Sequence, residues 1–220
     1  MFFIPITIFI FILFILSLPL LFVLGYFHIV MIGFEKLGIS PEATLFILFL
    51  ILFGSLINIP LTKKKMILVR EPRFFGLFSR PKIEAHYVAI NFGGAVIPLL
   101  LSFYFLLQAK VQGFELRPIF IAIFLMTIIS KIFAKVIPGK GIVMPTFIPP
   151  IFSALFALIL VPEFAAPVAF ISGVLGTLIG ADILNLRKIK RYGGYISIGG
   201  AGVFDGIFLV GIVSALISGF

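Results

Sequence analysis

The chain has 220 residues, 62% of them hydrophobic and 11% charged, with a mean hydropathy of +1.31 and a formal charge of +9. That balance is far from a soluble domain's average and excludes a water-soluble enzyme or a nucleic-acid-binding module, so the positive charge reads as membrane topology. Cysteine is absent, which excludes disulfides, a thiolate nucleophile and a Cys-based metal site.

Seven apolar segments approach the roughly 20 residues that cross a bilayer core of about 30 Å as helix. They are 2–27, 41–61, 87–108, 118–137, 142–161, 164–186 and 196–218. The expected fold is all-α: one helical membrane domain over 1–220 with about seven transmembrane helices. The first segment has no basic n-region or small-residue cleavage site and reads as a retained span. With the N-terminus in the cytoplasm, inner loops hold 14 of the 17 basic residues, and only Lys36, Lys110 and Arg117 stay outside. The positive-inside rule then places the C-terminus outside.

Between spans two and three, residues 62–86 form the one sizeable polar connection. Its basic residues alternate with Met66, Ile67, Leu68, Val69, Phe74, Phe75 and Phe78. This pattern predicts a cytoplasmic interfacial elbow drawn to anionic headgroups, or a docking and gating element. Asn58 and Asn91 are expected to hydrogen-bond between helices. His28 and His86 fall at opposite membrane faces and cannot share a metal. On span four, Lys131 and Lys135 share a face and should snorkel to the headgroups; Ser130 points about 100° from Lys131, so no Ser–Lys dyad is expected.

The run from Pro138 to Pro150 carries four prolines. Without it, 151–161 is too short to cross, so 142–150 must approach span five as extended or broken backbone. Such backbone is tolerated at membrane depth only inside protein or beside water. Pro145, Pro149 and Pro150 could expose carbonyls to an unwound peptide by strand addition, or belong to a discontinuous helix of the transporter kind.

Spans six and seven form a hairpin over 164–218 and carry Asp182 and Asp205, the only aspartates in the chain. Ionisable groups in a span cost about 2.5–3.5 kcal/mol on insertion scales and mark functional sites by default. Asp182 precedes Gly193 by 11 residues and Asp205 follows Gly194 by 11, so the turn permits both at one depth. Gly202 and Gly206 narrow the helix around Asp205, and Gly176 and Gly180 form a second small-xxx-small stripe. Two adjacent carboxyls would share a proton, and one could activate water while the other protonates a leaving amide. The same pair would suit a proton-coupled transporter.

The stretches Gly180-Ala181-Asp182-Ile183-Leu184-Asn185-Leu186 and Ile198-Gly199-Gly200-Ala201-Gly202-Val203-Phe204-Asp205-Gly206-Ile207-Phe208-Leu209 resemble an uncharacterised family of prokaryotic multi-pass membrane proteins of unknown function. More distantly, the two Asp-bearing spans resemble presenilins and signal peptide peptidases, which implies Asp182 and Asp205 as a catalytic pair. Ala181 stands where that group usually has Tyr, and the glycine of Gly202-Val203-Phe204-Asp205 lies three residues before its Asp.

The leading expectation is therefore an intramembrane aspartyl protease-like hydrolase needing no cofactor or metal. Asp182 and Asp205 would be catalytic; Pro145, Pro149, Pro150, Gly202 and Gly206 would contact substrate. The alternatives are a proton- or ion-coupled transporter or channel using the same carboxylates, and a non-catalytic scaffold. Expected partners are membrane lipids and single-span membrane proteins or peptides, in a prokaryotic plasma membrane.

Overall fold

A computed structural model describes residues 6–63, 65–73, 78–137, 141–188, 195–200 and 206–219. Among these lie seven α-helices of 13 or more residues: α1 (Ile6–Lys36), α2 (Pro41–Gly54), α3 (Ile97–Val111), α4 (Leu116–Phe133), α5 (Ile148–Leu160), α6 (Ala165–Thr177) and α7 (Gly206–Ser218). Six strands accompany them: β1 (Asn58–Pro60), β2 (Lys65–Arg73), β3 (Phe78–Asn91), β4 (Lys135–Ile137), β5 (Gly141–Val143) and β6 (Tyr195–Ile198).

The helix α6 is the hub. Twelve of its 13 residues are buried, and α3, α4, α5 and α7 all pack against it. Its sequence permits this, because Ala165, Ala166, Ala169, Ser172, Gly173, Gly176 and Thr177 keep the helix thin enough for neighbouring backbones to close in. Phe105 of α3 meets Phe170 of α6 edge to face at 5.4 Å between ring centroids. Against Gly173, Ser153 of α5 and Ser214 of α7 bring their hydroxyls to 2.5 Å from each other. By contrast, the outer faces of α1, α2 and α4 expose large apolar side chains such as Leu16, Phe46 and Phe124, the surface expected where the solvent is lipid.

Local signals explain several boundaries. Ser40 caps α2 by accepting from the Ala43 N–H at 3.3 Å, with Pro41 at the first helical position, where its missing N–H costs nothing. Pro149 and Pro150 occupy the first turn of α5 in the same way. Asn91 Oδ1 accepts from the Gly94 N–H at 2.8 Å and starts the π-helical turn Phe92–Val96 that leads into α3. Gly93 in that turn has no room for a Cβ, because the backbone of Ile51, Gly54 and Ser55 lies against it.

The four-stranded sheet is ordered β1-β3-β2, with β6 also on β3. The strands β1 and β2 pair with β3 antiparallel, whereas β6 pairs with it in parallel from Tyr87↔Tyr195 to Ile90↔Ile198. The strands β4 and β5 form a separate two-stranded ribbon.

This architecture corrects the expected fold. The described residues contain four helical runs long and apolar enough to cross a membrane: Phe14–Lys36, Phe92–Val111, Leu116–Phe133 and Pro162–Lys188. Three further apolar helices, Pro41–Gly54, Ile148–Leu160 and Leu209–Ser218, are shorter; at 1.5 Å per residue the longest covers only about 21 Å. The seven-span count therefore fails, and the assignment of N-terminus inside and C-terminus outside loses the count it rested on. The body is helical as expected, but 87–91 and 196–198, read as the starts of spans, are strands. Both are short apolar runs, and periodicity does not separate a buried strand from a buried helix at that length.

Candidate functional site: the broken end of the central helix

The helix α6 does not end cleanly. After Thr177 the chain continues as a π-helical turn over Leu178–Asp182 and then as a 3-10 turn over Ile183–Asn185. Wider i→i+5 turns are rare and concentrate at functional sites. The helix α4 packs tightly on this turn: a Cβ on Gly180 would overlap the Thr127 carbonyl oxygen and crowd Ser130 Cβ. Gly176 lies equally close to Met126. The glycine stripe of this segment thus seats α4.

A polar latch closes the break. Lys131, on the last turn of α4, donates from Nζ to the Leu184 carbonyl at 2.8 Å and to Asn185 Oδ1 at 2.7 Å. The buried Asn185 donates in turn from Nδ2 to the Ala181 carbonyl at 2.8 Å. A lysine ammonium therefore sits where the loosened helix end presents carbonyl oxygens, the end at which cations are favoured. Sequence reasoning expected Lys131 to snorkel to headgroups, and it missed Asn185; the two are 54 positions apart, so only a polar residue inside an apolar run hinted at either. Close by, Ser130 Oγ is buried without a hydrogen-bond partner among the described residues, as is Thr177 Oγ1 one turn before Gly180. Such groups cost about 1–3 kcal/mol each.

Some of the expected site residues are described and others are not. Asp182 is half-buried at the close of the π turn. Asp205 and Gly202 lie outside the described residues, and Gly206 opens α7. Pro149 and Pro150 are buried in the first turn of α5, while Pro145 is exposed before it. Asn58 and Asn91 do bond to each other at 3.2 Å, but as residues of β1 and β3 rather than of two helices.

The protease reading is overturned. The buried polar residues described are Ser, Thr and Asn alone, with no Asp, Glu, Lys, Arg or His among them. Among the described residues there is also no cluster of three metal-ligating side chains. The equal-depth argument loses its geometry as well, since 195–198 is strand rather than the start of a helix. The aspartyl-protease, hydrolase and presenilin-like assignments fall together.

A helical body with four membrane-length apolar helices and a core free of described charged residues defines a multi-pass membrane protein. A family profile described as "Protein of unknown function (DUF1614)" matches residues 52–217. The chain belongs to that family. No curated protein and no solved structure matches it, so nothing supports kinship with presenilins or signal peptide peptidases.

Proposed function

We propose that this protein is an ion- or proton-coupled transporter or channel of a prokaryotic plasma membrane, with its coupling point at the broken end of α6. The observation that carries the reading is the Lys131–Asn185 latch on the π and 3-10 turns of the most buried helix. Transporters build ion sites from discontinuous helices, whose loosened carbonyl ends hold cations. Here the Lys131 ammonium occupies that role, and its release would free the Leu184 carbonyl and Asn185 Oδ1 as cation ligands. Asp182, at the end of the same π turn, is the carboxylate suited to exchange a proton or cation with it. The short helices α2, α5 and α7 favour the same reading, because helix ends within the hydrocarbon need protein cover or a wet cavity.

The test is flux. Purified protein in liposomes should dissipate an imposed pH or monovalent-cation gradient; Asp182→Asn should suppress it, and Lys131→Met, which leaves the Leu184 carbonyl and Asn185 Oδ1 permanently free, should change its pH dependence, both variants keeping the helical circular dichroism of the wild type. Absence of flux for protons, monovalent cations and anions alike would sink the reading and favour a scaffold.

A further inference from the structure

The strands β2 and β3 build a long two-stranded ribbon whose register runs from Lys65↔His86 to Arg73↔Phe78. Nine residues at about 3.3 Å each make it roughly 30 Å long. Among the described residues, β2 has no substantial packing partner other than β3. A lone two-stranded ribbon is marginally stable in water and needs a surface against one face.

The register sorts its residues. One face holds Lys65, Ile67, Val69, Glu71 and Arg73 opposite His86, Glu84, Lys82, Arg80 and Phe78. The other holds Met66, Leu68, Arg70 and Pro72 opposite Ala85, Ile83, Pro81 and Ser79. Four Lys or Arg residues thus share a face with two carboxylates, while the opposite face is apolar but for Arg70 and Ser79. Met66, on the apolar face, is 72% exposed. The ribbon is also rooted in the membrane body, since β3 runs directly into the turn that begins α3.

We propose that the β2–β3 ribbon lies on the bilayer surface and binds anionic lipid headgroups. Its Met66, Leu68, Ile83 and Ala85 face rests on lipid, and Arg70, Lys65, Arg73, Arg80 and Lys82 supply the charge. Charge complementarity selects this occupant: the ribbon carries five Lys or Arg against Glu71 and Glu84, and basic segments beside membrane helices are attracted to anionic leaflets. Strand addition by a second chain is disfavoured, because Pro72 and Pro81 interrupt the donors of both strands.

The cysteine-free chain makes the test direct. Full-length variants Leu68→Cys, Ile83→Cys, Val69→Cys and Lys82→Cys, each labelled with a small fluorophore, would be reconstituted in phosphatidylcholine vesicles with and without phosphatidylglycerol. Labels at 68 and 83 should be quenched by a lipid-borne nitroxide, and labels at 69 and 82 by aqueous iodide. The contrast should be lost without phosphatidylglycerol or at about 1 M salt, where the Debye length falls to about 3 Å. Equal iodide access at all four positions would overturn the proposal. So would protection that ignores lipid composition, or protection that follows protein density, which would point to a second copy.

Discussion

Lys131 of α4 and Asn185, 54 positions later, form a hydrogen bond of 2.7 Å that ties the end of one helix to the broken end of another. The bond is charge-assisted, and the Asn amide completes it by donating to the Ala181 carbonyl on its other side. Each partner therefore orients the other, so the break is held in one geometry.

Removing the ammonium should loosen that geometry. Lys131→Met leaves the Leu184 carbonyl and Asn185 Oδ1 without their donor. A charge-assisted bond is worth about 1.5–3 kcal/mol when shielded, and less at this half-exposed position, so a loss of roughly 1 kcal/mol is expected. Circular dichroism melts in detergent would read it as a lower Tm. An unchanged Tm would mean that the latch holds nothing.

Gly180→Ala should be worse than its chemistry suggests. The added methyl would overlap the Thr127 carbonyl oxygen, which is backbone of α4 and cannot rotate away. Overpacking of this kind costs about 1–3 kcal/mol. Gly25→Ala is the control, since nothing lies within 4 Å of a Cβ there, and it should stay within about 0.5 kcal/mol of wild type.

The Ser153–Ser214 pair offers a test of the α5–α7 contact. Each hydroxyl also bonds to its own helix, Ser153 to the Pro149 carbonyl at 2.7 Å and Ser214 to the Val210 carbonyl. Ser153 also lies 3.1 Å from the Pro150 carbonyl, so two protons serve four contacts and neither serine depends wholly on the other. A double-mutant cycle of Ser153→Ala and Ser214→Ala should give a coupling of about 0.6 kcal/mol, the usual scale for bonds between membrane helices. A coupling indistinguishable from zero would argue against direct contact.

Asn91→Ala removes a hub. Asn91 donates to the Ser55 carbonyl at 2.7 Å and accepts from the Gly94 N–H, which joins the end of α2, the strand β3 and the start of α3. Leaving the buried Gly94 N–H unpaired should cost about 1–3 kcal/mol. Proteolysis in detergent should also begin earlier at this junction than in the wild type. Wild-type resistance at this junction would contradict the assignment.

Much of the secondary structure was open to misreading for one reason. The run Tyr87-Val88-Ala89-Ile90 and the run Tyr195-Ile196-Ser197-Ile198 are apolar and adjoin glycine-rich apolar stretches. Read alone, each extends a helix; their mutual pairing in parallel makes them strands. Extending 196–198 into span seven produced the symmetric placing of Asp182 and Asp205, and together with the over-extended second and fifth segments it raised the count to seven. Lys131 was read from its own helix, where nothing announces Asn185. The seating of α4 on Gly176 and Gly180 was closer to the surface of the sequence, because a small-xxx-small stripe signals close packing even when it does not name the partner.

By itself the sequence determined the class of protein. A chain that is 62% hydrophobic, with few charges and most of those at segment ends or in loops, has too little polar surface for a soluble protein, and burial in lipid is the solution that composition leaves. It also determined the alternation of basic and apolar residues between β1 and β3, and hence that this segment could present two unlike faces. Tertiary structure alone decided that 87–90 and 195–198 are strand rather than helix, because they pair with each other across more than 100 positions. It alone decided that a lysine from α4 closes the broken end of α6, since hydrogen bonds depend on distance in space and carry no trace in local pattern.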